Sequence, residues 1–474
     1  MNLFFTYIHV IIFFNLYVCS PKENNRRKVD LRKTSRSLFK YVDLSKNTCE
    51  DFHEFACGKF MTENNVRINL NKVMDGFSTF VKAIFEGRSK TNTKVTRKLI
   101  MMHKKCSTLR NQESFFECTM KVEKFGFYGF ASYYVSDVES NPKINKDFDV
   151  VNRMVNFIKE EFKNLLNEKK DFLDEATKKN YLKKIDGMVL YREHHQNLKN
   201  TKLMEECYDY FKFSTSDSAD KMMKNIDKYA SFVSSNNKKT QEMCRHYIVD
   251  GKSDEAPLFL LVNENAFYDS KKNRFTINPM IFKEPYFDRE FPMSLNYGSL
   301  GFVIGHELMH ALDYYNINLD HEGNASINMT SSFSMDNYKK RSNCFLKQYN
   351  YMAKDVNNLE VEELMKLKED IADNGGLKIA FRAYKSYYKS IKRVSPKIPG
   401  FAKYTGDQMF FINYGRFFCK HFVVPDRRMK GKITKHNPTY LRLRNTLGNF
   451  NEFSNEYKCN VGSKMNPKKK CELW

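Results

Sequence analysis

The 474-residue chain has no Cys-x-x-Cys pair among its eleven cysteines, no internal repeat, and a single tryptophan, at its last position. The missing pair excludes thiolate zinc sites and thiol redox motifs. Acidic residues are the scarcer charge, 56 against 79 Lys and Arg, which leaves a net charge of +23. Such a surplus suits acidic glycans, anionic membranes or acidic peptides. The basic residues are scattered along the whole length, however, and no RNA- or DNA-binding motif accompanies them, so nucleic acid is not expected as a partner. Disorder is excluded by the 41% hydrophobic and 15% aromatic content, Phe and Tyr foremost. At about 150 residues per domain the length suggests two to three structural units, enough to bury a deep cleft.

The first twenty residues, MNLFFTYIHVIIFFNLYVCS, are an apolar run followed by a basic cluster. They read as a cleaved secretory signal, with an uncleaved membrane anchor as the competing reading; the basic residues after the run disfavour an anchor that leaves the rest outside. Membrane attachment is therefore expected only if this segment stays uncleaved. Removing Cys19 with it leaves ten cysteines in a chain bound for an oxidising compartment, where five disulfides are plausible.

A basic, polar stretch over 21–45 reads as a flexible arm. Apolar residues then recur every three or four positions from Val150 to Met188, predicting an amphipathic helix followed by a second one. Between Leu258 and Ile277 the runs LFLLV, NAFY and RFTI predict strands of a small sheet. Helices are expected from Leu300 to about Tyr315, from Val361 to about Tyr388, and over Lys403 to Phe422. The fold class is mostly α with a minor sheet, with helical scaffold over 46–250 and the chemistry in 251–474.

That chemistry starts from HELMH. His306 and His310 stand four residues apart, so on a helix both imidazoles project from one face and can share a zinc ion. Glu307 then lies beside the metal without binding it, placed to take a proton from water on the metal. A catalytic zinc needs a third protein ligand and leaves a fourth position open. The string EDIAD supplies it, because Glu369 and Asp373 share a helix face. One carboxylate can bind the metal while the other orients a histidine.

The strings CEDFHEFACG, FLDEATKKNYLKKI, VNENAFY, SLNYGSLGFVIGHELMH, EDIADNGGLKIAFRAY, NEFSNEYKC and MNPKKKCELW, in this order, resemble the neprilysin-like zinc endopeptidases, peptidase family M13. The resemblance runs from Cys49 to Trp474. It implies a thermolysin-like zinc fold and one Zn2+ per chain, held by His306, His310 and Glu369. It makes Glu307 the general base and Asp373 the acid behind the ligands, with a proton-donor role in catalysis. Asn265 and Ala266 are implied to align a peptide substrate by pairing with a sheet edge. Ile281, Tyr286, Phe302, Val303 and Phe417 are implied to line a pocket for a bulky apolar side chain just after the cut bond. His436 is implied to stabilise the oxyanion and Arg442 to grip a substrate carbonyl.

The resemblance also implies the pairs Cys49–Cys459, Cys57–Cys419, Cys106–Cys118 and Cys344–Cys471, leaving Cys207 with Cys244. Two departures stand out. The residue two before His436 is Thr434 where the family has Asp, and the family's large helical lobe between the cysteines matching Cys106 and Cys118 is reduced here to residues 107–117. The basic residue that binds a substrate's terminal carboxylate would fall near Asn71 or Lys72. The expected function is a secreted zinc metalloendopeptidase that cuts peptides before bulky hydrophobic residues. The alternative is a weak or inactive peptide-binding protein that retains the zinc fold.

Overall fold

A computed structural model describes residues 28–63, 76–192, 196, 198–235, 239–253, 256–349, 351, 359–419 and 436–474. The expected signal at 1–20, the positions Asn71 and Lys72, and Thr434 lie outside the described residues. Among the described residues no helix is long and apolar enough to cross a membrane.

The stretch expected to be a loose arm contains helix α1, Leu31–Phe39, started by Asp30, whose carboxylate accepts from the Lys33 N–H at 2.8 Å. Its basic residues face outward or pair, while Leu38 is fully buried. The buried Arg416 grips it from the far end of the chain, donating to the Ser37 hydroxyl at 2.7 Å. Periodicity was too short over nine residues to reveal this helix; the tertiary grip decides it.

The chain continues through α2 (Phe52–Glu63), α3 (Gly76–Phe85), α4 (Lys94–Cys106), α5 (Gln112–Glu139), α6 (Lys143–Glu168) and α7 (Glu175–Gly187) to a two-residue strand β1 (Val189–Leu190). There follow α8 (Thr201–Asp209), α9 (Ala219–Ser235), α10 (Lys239–Cys244) and α11 (Leu258–Val262). The last is LFLLV, expected as a strand. A five-residue apolar run has no period that tells helix from strand, and Pro257 at its N-cap opens a turn of helix instead.

Strands β2 (Ala266–Asp269) and β3 (Arg274–Ile277) form as expected, antiparallel, with Ala266 opposite Ile277 and Asp269 opposite Arg274. Strand β1 pairs with β3 in parallel, giving the order β1-β3-β2, so β2 is an edge strand. The remaining helices are α12 (Met293–Asn296), α13 (Phe302–Met309), α14 (Ser332–Gln348), α15 (Val361–Ser390), α16 (Gly406–Phe417), α17 (Thr439–Asn449) and α18 (Asn451–Glu456). All five expected disulfides are formed.

Two hydrophobic cores result, and they do not divide at residue 250. One is built from α1, α2, α6 and α7 together with the sheet and everything from α12 onward. The other gathers α3–α5 and α8–α11 around the Cys106–Cys118 and Cys207–Cys244 bridges. Residues 150–188 belong to the first because the apolar stripe of α6 (Val151, Met154, Ile158, Phe162, Leu165) lies against α15.

Helices α13 and α15 approach until their backbones touch. A Cβ built on Gly305 would lie 2.5 Å from the Gly376 carbonyl oxygen, and one on Gly376 would lie 2.6 Å from the His306 nitrogen. Neither backbone can yield without separating the helices. The neighbouring Gly375 instead faces the flexible Met309 side chain. We therefore expect Gly376→Ala to destabilise the fold by about 1–3 kcal/mol or more, as overpacking does, and Gly375→Ala to be tolerated better. Denaturant unfolding of both variants checks this; equal effects would show that the backbone contact has no special importance.

Candidate metal centre

Three ligand atoms converge where α13 crosses α15. His306 Nε2 and His310 Nε2 lie 3.1 Å apart, and Glu369 Oε2 is 3.1 Å from the first and 3.4 Å from the second. All three residues are buried. The spacing of four on α13 puts both imidazoles on one face, and the glycine contact brings Glu369 of α15 within reach of them.

The outer ring nitrogens are held as well. His306 Nδ1 meets Asp373 Oδ1 at 2.9 Å, and His310 Nδ1 meets Asp313 Oδ2 at 2.9 Å. Asp313 is fixed in turn by the Tyr315 and Asn316 N–H groups at 2.9 and 3.0 Å. Asp373 takes Nε and Nη2 of Arg442, each at 2.7 Å. Each carboxylate accepts the Nδ1 proton, which leaves the Nε2 atoms as lone pairs facing one another and a carboxylate oxygen.

That donor set fits a metal ion. Three acceptors in mutual contact repel unless a cation lies among them. Separations of 3.1–3.4 Å also match roughly 3.3 Å, the value that bonds of about 2.0–2.1 Å in a tetrahedron would give. The electrostatics favour positive charge at this point. Burial alone would drive the proton from His310, yet Glu369 and Asp313 hold its imidazole well above the ordinary value. Burial would likewise raise Asp373, but Arg442 and His306 keep its carboxyl below the usual carboxylate range.

Glu307 follows His306 on α13, is 7% exposed, and makes no hydrogen bond or ion pair among the described residues. His436 Nε2 comes within 3.0 Å of Glu369 Oε2 from the segment before α17, its side chain 44% exposed. Asn265 stands at the start of the edge strand, its carbonyl accepting from the Asn278 N–H at 3.0 Å, and Ala266 is buried beside it. Ile281, Tyr286, Phe302 and Val303 are buried and Phe417 is half-buried. The Phe417 ring packs on Tyr286 and Phe302 at 5.7 and 5.4 Å, and Phe302 lies 6.0 Å from the His306 ring. The apolar cluster thus adjoins the ligands. Asp313 is the residue that sequence reasoning missed; its only signal was an acid three positions after His310.

Residues 265–473 match peptidase family M13. Neprilysin-1 of Caenorhabditis elegans is 30% identical over 328 residues, covering 68% of this chain and 41% of that protein. Endothelin-converting enzyme 1 of Rattus norvegicus is 37% identical over 211 residues, 44% of this chain and 27% of that one. The chain thus spans about two fifths or less of the length of these curated relatives. A chain of a Haemonchus galactose-containing glycoprotein complex superposes with a TM-score of 0.59 at 17% identity, covering 94% of this chain and 99% of the other. A zinc metalloprotease of Mycobacterium tuberculosis, Zmp1, gives 0.52 at 19% identity, over 77% and 52%. At those identities the two likenesses concern the fold.

Removing the carboxylate behind a histidine ligand typically lowers metal affinity 10–100-fold. Asp313→Ala is expected to do so here, measured by competition for zinc with a chelator of known affinity; wild-type affinity in that variant would show that Asp313 does not set the His310 tautomer.

Proposed function

The chain is related to the M13 peptidases through residues 265–473, and from that premise we propose that it is a zinc-dependent endopeptidase. The observation that carries the reading is the convergence of His306, His310 and Glu369 beside the unengaged carboxylate of Glu307. His306, His310 and Glu369 hold one Zn2+. Zinc, when held there, polarises a scissile carbonyl and lowers the pKa of water.

The protein's own groups do the rest. Glu307 takes the proton of the attacking water and returns it to the leaving amine, which a carboxylate already bound in ion pairs would do poorly. His436 supplies a donor beside the ligands, where negative charge develops. Asp373 works through His306, because its contacts with His306 Nδ1 and Arg442 keep it ionised. Arg442 holds Asp373 with Nε and Nη2, and its guanidinium would grip a substrate carbonyl.

An extended peptide adds to the outer edge of β2 through Asn265 and Ala266, where no strand pairs among the described residues. The apolar group of Ile281, Tyr286, Phe302, Val303 and Phe417 receives a bulky side chain after the cut bond, a burial worth about 1.5–3 kcal/mol. Five disulfides support an oxidising, extracellular location. Residues 107–111 join α4 to α5 in a short turn and 112–117 already belong to α5, so long polypeptides are admitted as well as short ones.

Glu307→Gln should lower kcat by about 10²–10⁴-fold while zinc content stays at one per chain, read by peptide cleavage and metal analysis. Full activity in that variant would remove Glu307 from the mechanism. A short peptide and a long unfolded polypeptide carrying the same bulky hydrophobic site should both be cut, and both cuts should stop with a chelator. Rejection of the long one would mean that some other segment covers the cleft.

A further inference from the structure

His436 stands at the metal centre two residues before the cap of α17. Its side chain is 44% exposed, meets Glu369 through Nε2 at 3.0 Å, and lies with its ring 6.3 Å from that of His306. The next residue is held far more firmly. Asn437 Nδ2 donates to both oxygens of Asp370, at 3.0 and 2.9 Å, and lies 3.1 Å from the Tyr351 hydroxyl. Tyr351 donates its own proton to Asp370 Oδ2 at 2.6 Å. Asp370 is fully buried on α15, directly after the ligand Glu369.

Consecutive residues on a helix point about 100° apart, so this one turn of α15 offers Glu369 to the ligand cluster and Asp370 to the segment that carries His436. Pro438 follows Asn437 and caps α17. A proline limits the residue before it to extended backbone, so the clamped residue has little freedom to pass to its neighbour. Two constraints, the amide clamp and the proline, therefore fix where the His436 ring can stand relative to Glu369.

We propose that Tyr351, Asp370 and Asn437 are positioning residues that hold His436 over the metal centre by anchoring the adjacent backbone to the helix turn that bears Glu369. The inference rests on the peptidase reading above and deepens it. An imidazole that must meet charge developing only in the transition state gains from being fixed beforehand, and a displacement of about 1 Å costs on the order of 10²-fold in rate. The clamp acts on that step and not on substrate docking, so its loss belongs in kcat.

The test uses the full chain loaded with zinc and a quenched fluorescent peptide with Phe after the cut bond. Asn437→Ala is expected to lower kcat about 10–100-fold with KM changed less than about two-fold and zinc content intact. Binding of a phosphoryl-dipeptide inhibitor, whose tetrahedral anion needs His436, should weaken by a similar factor, while a thiol-dipeptide inhibitor that lacks such an anion should bind as before. Tyr351→Phe, which removes one hydroxyl, guards against a variant that fails to fold, and should show the same pattern more weakly. Asn437→Asp alone replaces the amide donor by a second carboxyl group facing Asp370 and should be poorer still; combining it with Asp370→Asn restores an amide donor facing a carboxylate and should recover much of the rate.

Unchanged kcat in Asn437→Ala, equal weakening of both inhibitors, or no recovery in the swapped pair would each overturn the clamp while leaving the peptidase reading in place. A wild-type protein that binds zinc and cleaves nothing would overturn the peptidase reading and the clamp with it.

Discussion

Helices α13 and α15 meet backbone to backbone at Gly305 and Gly376, and the ligand cluster exists only at that separation. His306 follows Gly305 directly, while Asp373 and Glu369 precede Gly376 by about one and two turns of α15. Glycine inside a helix is unfavourable by about 1 kcal/mol relative to alanine, and here the two glycines let atoms from two helices come within 3.1–3.4 Å of one another. A single methyl group in the contact would push α15 outward by more than the tolerance of a metal bond.

That closeness gathers charge as well as ligands. Glu307, Asp313, Glu369 and Asp373 are all buried near the two histidines, and Arg442 is the one guanidinium that pairs with them among the described residues. Buried carboxylates remain ionised only beside positive charge. Arg442 pairs with Asp373, the His310 ring faces Asp313 through Nδ1, and Glu369 would share a cation with the two Nε2 atoms. The centre is therefore built to hold a cation, and each histidine is turned so that its lone pair points toward it.

The remainder of the molecule keeps the two helices in place. Cys49–Cys459 and Cys57–Cys419 close loops of 410 and 362 residues in sequence separation, tying α2 to the segments around α16 and α18. Closing long loops removes the most freedom from the unfolded chain. Arg416 joins α16 to α1 in the same region. On the peptidase reading proposed above, substrate would approach where β2 is left as a sheet edge among the described residues and the aromatic rings of Phe302 and Phe417 form a wall next to His306.

Sequence alone determined the parts whose meaning is local. The four-residue spacing of His306 and His310, the helix holding Glu369 and Asp373, the hairpin of β2 and β3, and the mostly helical class all follow from short-range periodicity and side-chain chemistry. The cysteine pairs followed from the family resemblance, and the bridges form as it implied. Tertiary structure alone decided what depends on distant segments meeting. The helix at Leu31–Phe39 needs Arg416, and the LFLLV run takes its helical turn in the second core. Asp313 acquires its role only once His310 is turned toward Glu369. Asn437 finds Asp370 only because α15 shows one carboxylate to the metal centre and the next to the segment before α17. A spacing along one helix is written in the chain, whereas a contact between helices is set by the summed packing of residues far apart in it.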